Sequence, residues 1–264
     1  MTITRQIKGG QVRGDKQAAT LRNNSYVNER FNYQPLFTAG DATTALVAPG
    51  TGNFIWSGRN LDMRGAYIGS NTIITPLYAN PAFGVRISLD NAVGEGMNLK
   101  AGASAPNSAS IFQHRVTDDD FEPQVLRAVF IVDIPAAVDP VFLGYAVSGF
   151  QSILANYDDL AGISLSLGDV DYWGLDGASG GATDSGLDIT GSQTEFEFKI
   201  IWEAHPDGGS RFSFYLDGDY VAQYHHTGGS LFYPYIQTKQ AGVTGDFYMK
   251  ELECGPVSAL SRGV

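Results

Sequence analysis

The feature that most constrains this chain is a repeated two-residue alternation of apolar and polar side chains. Residues 195–203 alternate aromatic or aliphatic positions with charged ones, and residues 85–90 and 163–167 show the same period over shorter runs. Successive side chains of a strand point to opposite faces, so each segment has one apolar and one polar side. Strands of this kind need a second layer over the apolar side, which predicts a β-sandwich or barrel.

A tight hairpin is predicted within this pattern. Two alternating runs, 211–216 and 219–224, are separated only by Asp217 and Gly218. An Asp-Gly pair suits a type I′ turn, which needs positive φ at both central residues. Residues 121–134 and 247–254 are predicted as an interior strand and the closing strand, with glycine-rich connections at 94–102, 174–186 and 228–229. Only residues 149–160 have apolar side chains at helical spacing, which leaves a short helical turn or a loop open there.

Composition supports a globular chain and narrows its class. Hydrophobic residues make up 43% of the 264 and charged residues 17%, enough apolar material for a core. The longest strongly apolar run, Ala128 to Val132, is far shorter than the roughly 20 residues that span a bilayer. No apolar stretch follows the first basic residues, so no secretory signal is predicted. The single cysteine, Cys254, excludes intrachain disulfides and multi-cysteine zinc sites.

Charge is divided unevenly along the chain. The first 30 residues carry six basic and two acidic side chains, a net charge of +4. Because the whole chain has a net charge of −11, the remaining 234 residues have a net charge of −15. Such an acidic body repels phosphates, which argues against nucleic acid as its main partner. Nucleic acid is also the least favoured partner of the basic segment. That segment is predicted to be a disordered tail or an extended arm that orders on an acidic protein surface. Its docking residues would be Arg5, Lys8, Arg13, Lys16, Arg22 and Arg30.

These observations divide the chain into three parts. Residues 1–52 are predicted to be an extended basic N-terminal arm and linker, and residues 53–257 a β-sandwich. Residues 258–264 would form a C-terminal tail.

The strand pattern of the C-terminal half resembles a known superfamily. An alternating strand ending in Trp202 is followed by Arg211–Leu216 with Asp217-Gly218, then by Val221-Ala222, a proline-containing strand at 233–236 and a last strand near 249–253. This order is similar to that of the concanavalin A-like lectin/glucanase superfamily, which includes laminin-G-like jelly rolls. The resemblance implies an all-β, antiparallel jelly-roll β-sandwich, and it covers residues 120–256 best. It does not imply one function, since enzymes, lectins and virion proteins share the fold.

No pattern predicts a catalytic site. Glucanases of this superfamily carry three acidic residues at alternate strand positions, whereas Glu195 and Glu197 are followed by Lys199, and a second pair at 251 and 253 by glycine. The string Gly177–Gly181 around Ser179 lacks the strand and helix that would expose a nucleophile. The adjacent histidines at 225 and 226 would point to opposite faces, and the one at 205 lies in a turn. The chain is therefore predicted not to be an enzyme.

One segment is the best candidate for binding. Residues 169–176 combine carboxylates, which suit sugar hydroxyls or calcium, with aromatic faces for stacking. Three interpretations stay open: a structural loop whose tryptophan plugs the sandwich, a glycan site, and a calcium site. The spacing of the acidic residues does not match an EF-hand loop. The prediction is therefore that the protein has no metal and no cofactor, and a calcium ion is kept as the alternative. The glycan-binding candidates are Asp169, Asp171, Tyr172, Trp173 and Asp176.

Elimination leaves three hypotheses for function. The preferred one is a non-enzymatic virion structural protein, a bacteriophage capsid decoration, cement or head–tail accessory subunit that docks through its N-terminal arm. The alternative is a glycan-binding lectin-like module for host adhesion, and a divergent glycoside hydrolase or lyase comes third. The preferred hypothesis expects virion proteins as partners, homo-oligomers, and a location in the virion after synthesis in the host cytoplasm. It expects no contact with nucleic acid or membrane.

Overall fold

The computed structural model describes most of the chain from residue 115 onward and shorter segments before it. The described residues are 27–31, 36–39, 53–57, 62–68, 78–80, 82–86, 96–101, 115–116, 121–133, 141–147, 151, 153–177, 179–191, 193–239 and 247–257.

These residues form 17 strands and one short 3-10 turn, η1 (Leu154–Asn156). The strands before residue 115 are β1 (Val27–Arg30), β2 (Leu36–Ala39), β3 (Asn53–Ser57), β4 (Asp62–Ile68), β5 (Tyr78–Asn80), β6 (Gly84–Arg86) and β7 (Gly96–Ala101). The next are β8 (Gln124–Val132), β9 (Val141–Ala146), β10 (Leu160–Ser166), β11 (Asp169–Asp176) and β12 (Ser179–Asp188). The last are β13 (Thr194–Ala204), β14 (Ser210–Leu216), β15 (Asp219–His226), β16 (Tyr233–Lys239) and β17 (Phe247–Pro256).

The strands of the described residues form two sheets. The eight-stranded sheet has the order β15-β14-β13-β8-β17-β6-β5, with β1 also paired to β17. The nine-stranded sheet has the order β12-β11-β10-β9-β16-β7-β4-β3-β2. Neighbours in both are antiparallel, including the crossover pairs β8–β17 and β9–β16. The predicted class, an antiparallel jelly-roll β-sandwich, is confirmed.

The main core fills the space between the two sheets. In β13 the side chains of Phe196, Phe198, Ile200 and Trp202 are buried, while the alternate positions are at least partly exposed. The alternation in sequence therefore becomes one inner and one outer face of the sheet. Facing residues from the nine-stranded sheet, such as Leu143, complete the same core.

The predicted hairpin is confirmed in detail. β14 pairs with β15, and the two residues between them, Asp217 and Gly218, have φ values of 51° and 89°. Both values are positive, as a type I′ turn requires. A bulge between Phe214 and Tyr215 shifts the register of this pair, so Tyr215 lies opposite Tyr220.

The glycine-rich stretch 174–186 was expected to be a connection but forms the end of β11 and most of β12. β12 lies at the edge of its sheet and is mostly exposed, so it lacks the apolar alternation that marks other strands. Close packing explains one of its glycines: a Cβ on Gly180 would lie 2.1 Å from the carbonyl oxygen of Gly174. The strand is held by backbone pairing, which leaves no hydrophobic pattern in sequence.

A second apolar cluster covers the outer face of the nine-stranded sheet. The ring of Phe142 lies over two cross-strand glycines, Gly144 and Gly162, where a Cβ would meet it at 2.3 and 2.2 Å. Tyr157, which follows η1, packs edge-on against Tyr235 of β16. Of the described residues at helical spacing, Leu154 in η1 and Tyr157 are buried in this cluster, whereas Ile153 is exposed.

A lysine is buried at this outer face. Lys100 on β7 has no exposed surface, its Nζ lies 4.4 Å from the ring centre of Tyr233, and burial lowers its pKa from 10.5 to about 8. Between these pH values the unfolded chain holds more protons at this residue than the folded one. The contribution of Lys100 to stability therefore rises with pH from about 8 upward.

The Lys100→Met variant tests this pKa. As pH rises from 8 to 9.5, the free energy of unfolding of the wild type should gain about 1.5 kcal/mol relative to the variant. Chemical denaturation at three pH values in this range measures the difference. Buried Cys254 titrates identically in both proteins and cancels. A difference that stays constant with pH would contradict a lowered pKa at Lys100.

The end of the predicted N-terminal arm belongs to the eight-stranded sheet. β1 pairs with β17, Phe31 is buried in the main core, and Arg30 forms an ion pair of 3.0 Å with Glu251. β2 is likewise a strand of the other sheet. The remaining predicted docking residues, Arg5 to Arg22, and the tail 258–264 lie outside the described residues. No helix in the described part of the chain is long and apolar enough to cross a membrane.

Candidate functional site

The structure separates the aromatic residues of the predicted binding segment. They lie on β11, not in a loop, so neighbouring side chains take opposite faces. Tyr172 points into the main core and stacks on Phe214 of the facing sheet, with ring centres 6.0 Å apart. Trp173 points outward, packs against the second cluster, and donates from Nε1 to Ser164 Oγ at 2.9 Å. The two rings therefore cannot form one stacking platform.

The acidic residues of the segment are separated as well. Asp169 and Asp171 lie opposite Asp188 and Asp184 of β12 in the strand register. Burial, followed by the charges of Asp184 and Asp169, raises the pKa of Asp171. Asp176, at the far end of β11, joins a different group of residues. The five predicted residues therefore do not form one site.

Asp176 belongs to a cluster at one end of the sandwich, which we call the end cluster: Asp159, Asp176 and His226. Asp159 directly precedes β10, and the other two residues end β11 and β15. His226 Nε2 lies 3.0 Å from Asp159 Oδ1 and 3.6 Å from Asp176 Oδ1. The histidine is fully buried, whereas 33% of the Asp176 side chain is exposed. One ligand atom from each residue lies within 4.8 Å of the others, so the end cluster could hold a metal ion.

Hydrogen bonds control the charge of the end cluster. Burial is the largest influence on the pKa of Asp159 and raises it, but hydrogen bonds with Gly177, His226 and Ser230 together hold that pKa below its usual value. The hydroxyl of Thr227 lowers the pKa of Asp176. Both carboxylates are therefore ionised at neutral pH.

The charges of the end cluster affect the pKa of a neighbouring tyrosine. Tyr224 lies against β11, where its ring occupies the space that a side chain on Gly174 would need. Burial, followed by the charges of Asp176 and Asp159, raises the pKa of Tyr224 to about 12. The local potential at this end of the sandwich is therefore negative.

A second group of residues, two half-buried and one exposed, lies on the outer face of the eight-stranded sheet. We call it the tyrosine patch: Tyr215, Tyr220 and Lys199. The two tyrosine rings pack edge to face with centres 5.9 Å apart and planes at 77°. Lys199 Nζ lies 4.6 Å from the ring centre of Tyr215, and Tyr220 is 58% exposed. The patch offers an apolar ring face beside a cation.

A charged network lies beside the tyrosine patch on the same face. Arg127 on β8 reaches Glu197 at 2.6 Å and Glu251 at 2.8 Å, and Glu253 lies 3.5 Å away. Glu195, the remaining member of the paired carboxylates noted in the sequence, is bound by Lys250 at 2.6 Å. All four carboxylates are thus engaged with cations, which fits the interpretation of a charged outer strand face.

The other sequence motifs do not converge. Ser179 begins β12 at the sheet edge and follows a turn, not an apolar strand. His205 and His225 stack with ring centres 3.8 Å apart, while His226 points inward, as expected for adjacent strand residues. His225 Nε2 lies 2.8 Å from the carbonyl oxygen of Gly208. This pair stabilises the base of the β13–β14 turn.

Sequence reasoning did not identify Asp159, His226 or Tyr220 as site residues. The sequence placed His225 and His226 on opposite faces without showing which is buried, and His226 is fully buried because it ends β15 on the inner face. Tyr220 follows the predicted turn at once, so an exposed aromatic next to an Asp-Gly hairpin was the one local signal available. Asp159 had none, since the hydrogen-bond partners of its side chain are 18 or more residues away in the chain.

Comparisons with known proteins give structural likeness only. No model of a known protein family matches the sequence, and no curated protein matches it. Among solved structures, a carbohydrate-binding module, CBM66 from Bacillus subtilis, is 11% identical with a TM-score of 0.43, over 72% of this chain and 94% of that one.

Two further structures have a similar likeness. The exoplasmic/lumenal domain of VIP36, in a Ca²⁺/Man3GlcNAc-bound form, is 9% identical with a TM-score of 0.48, over 75% of this chain and 83% of that one. A prokaryotic β-1,3-1,4-glucanase (lichenase) derived from a mouse hindgut metagenome is 11% identical with a TM-score of 0.42, over 88% of this chain and all of that one. The likeness is one of general architecture.

Proposed function

We propose that this protein is a non-catalytic, carbohydrate-binding lectin-like module that binds glycans at the tyrosine patch. The observation that carries the proposal is the exposure of Tyr220, held edge to face against Tyr215 on an open sheet face. A sugar ring has apolar C–H faces and a polar rim. Its complement is therefore an aromatic surface with a few polar groups around it.

Polar groups surround the tyrosine patch at suitable positions. Lys199 lies over one ring and can donate to sugar hydroxyls, and exposed Gln223 lies two pairs along β15 on the same face. Arg211 donates twice to Glu203, at 2.9 and 2.7 Å, which holds both side chains at the border of this surface. These groups are held by regular sheet pairing, which reduces the entropy lost on binding.

The absence of catalysis is part of the proposal. A glycosidase needs two carboxylates that are available to the sugar. The acidic pairs of β13 and β17 are instead bound by Arg127 and Lys250. The exposed tyrosine patch supports glycan binding better than the virion role preferred in the sequence analysis. That role depends on the basic residues before β1 and stays a prediction.

Tyr220→Ala should weaken glycan binding about tenfold, because a stacked aromatic contributes about 1–1.5 kcal/mol. An oligosaccharide array would select a ligand, and calorimetry would compare its affinity for the variants. Tyr220→Phe should keep most of the affinity, since the ring face remains. Trp173→Ala should have no effect on affinity, which separates the tyrosine patch from the segment predicted in sequence.

The matched control is Leu167→Ala, which removes another exposed apolar side chain at the β10–β11 turn of the other sheet. It should bind as the wild type does. A wild-type protein that binds no glycan on the array would refute the function. A ligand that binds equally to the wild type and to Tyr220→Ala would refute the site.

A further inference from the structure

The end cluster brings together three side chains from the ends of three different strands of the sandwich. Asp159, Asp176 and His226 lie 17 and 50 residues apart along the chain, yet their nearest ligand atoms lie within 4.8 Å of one another. Two carboxylate oxygens and one imidazole nitrogen are ligands that first-row divalent metals prefer. The cluster lies at the end of the sandwich and shares no residue with the tyrosine patch.

Each of the three side chains is oriented by a hydrogen bond at its far atom. Ser230 Oγ donates to Asp159 Oδ2, and both the amide and the hydroxyl of Thr227 donate to Asp176 Oδ2, at 2.9 and 2.5 Å. The two Oδ1 atoms are thereby turned toward the same histidine nitrogen. Partners of this kind, one behind each ligand, are characteristic of metal sites.

The histidine is oriented in the same way. His226 Nδ1 lies 3.2 Å from the carbonyl oxygen of Gly228, which can only accept, so Nδ1 carries the proton of that hydrogen bond. His226 Nε2 then faces two carboxylate oxygens, Oδ1 of Asp159 and Oδ1 of Asp176. A metal ion bound at Nε2 would lie between these oxygens and the imidazole.

One hydrogen bond at Nε2 does not engage both carboxylates. Asp159 Oδ1 lies 3.0 Å from Nε2, within hydrogen-bond range, whereas Asp176 Oδ1 lies 3.6 Å away, beyond it. A metal ion with all three atoms drawn in to about 2.0–2.2 Å would engage them at once.

The geometry points to a binding site for one first-row divalent metal ion, with zinc as the reference ion, formed by Asp159 Oδ1, Asp176 Oδ1 and His226 Nε2. Three protein ligands leave a fourth position of a tetrahedral ion for water or another ligand. Calcium does not fit this set, because it requires six to eight oxygen ligands. The bound metal would connect the segments that precede β10 and follow β11 and β15.

Calorimetric titration of the chelator-treated full-length protein with ZnCl₂ tests the site. We expect one zinc ion per chain at micromolar or lower dissociation constant, and no binding of CaCl₂ at the same concentrations. Replacing zinc with Co²⁺ should give the visible absorption of a low-coordinate N/O site. Failure of the wild-type protein to bind either ion would overturn the proposal.

Variants locate the site on these residues. Asp176→Asn should lower zinc affinity at least about 100-fold, and Thr227→Val, which removes the hydroxyl behind Asp176, about 10-fold. Both residues are at least partly exposed, so these variants should fold. His225→Gln is the matched control, since it alters the neighbouring histidine on the opposite face and should keep full affinity. Zinc binding that survives Asp176→Asn, or that is lost in His225→Gln, would place the metal elsewhere and refute the assignment.

Discussion

Replacing Trp202 with alanine should lower the free energy of unfolding by about 3–5 kcal/mol. The indole is fully buried in the main core, stacks on Phe212 at 5.7 Å between ring centres, and is edge-on to Phe121 and Phe232 at 5.0 and 5.5 Å. Several aromatic residues would lose their contact at once, and a rigid two-sheet core cannot close the resulting cavity. Equilibrium denaturation in guanidinium chloride measures the loss.

Trp202→Phe is the control for this prediction. Trp202 Nε1 is buried and has no hydrogen-bond partner among the described residues, so removal of the N–H breaks no bond. The phenylalanine variant loses only part of the ring and should cost about 1–2 kcal/mol. An alanine variant that loses less than 1 kcal/mol would contradict the central position of Trp202 in the core.

Replacing Arg127 with methionine should be the second most destabilising change, at about 2–4 kcal/mol. The guanidinium lies between Glu197 on β13 and Glu251 on β17, with Glu253 nearby, and these side chains are all mostly buried. Without the cation, three carboxylates of like charge face one another across adjacent strands. Loss of one partner from a buried ion pair typically costs 3–5 kcal/mol, and partial exposure reduces that figure.

Two variants show whether geometry and burial set this cost. Arg127→Lys keeps the charge but lacks the planar guanidinium whose separate nitrogens, Nε and Nη1, reach Glu197 and Glu251, so it should keep only part of the stability. Arg211→Met removes a more exposed arginine paired with Glu203 and should cost at most about 1 kcal/mol. Equal losses for Arg127→Met and Arg211→Met in denaturant titrations would show that the Arg127 network adds nothing beyond a surface ion pair.

Local sequence patterns predicted the strands that bury one face. The alternation in β13 and the Asp-Gly turn between β14 and β15 both appear in the structure as expected, because a two-residue period and a turn residue act through nearest neighbours. β12 was missed because it lacks such a local pattern. An exposed edge strand buries neither face, so it is held mainly by backbone pairing, and its sequence consists mostly of glycines and polar residues.

Site prediction was less successful because a binding segment was treated as a loop. Once residues 169–176 pair as a strand, Tyr172 and Trp173 must point to opposite faces and cannot act together. The bulge at Phe214 and Tyr215 also aligns Tyr215 with Tyr220, and no feature of the sequence predicts a bulge there. Both outcomes depend on strand pairing.

By itself, the sequence determined that this protein is an all-β sandwich whose alternating strands have a charged outer side and an aromatic inner side, because side-chain period and turn chemistry are local properties. Only the tertiary structure decided which polar residues meet. Asp159, Asp176 and His226 converge because three connections end at the same edge of the two sheets, and the tyrosine patch forms because a bulge sets the register. Contacts of this kind depend on strand order and register, which chain-distant pairing determines.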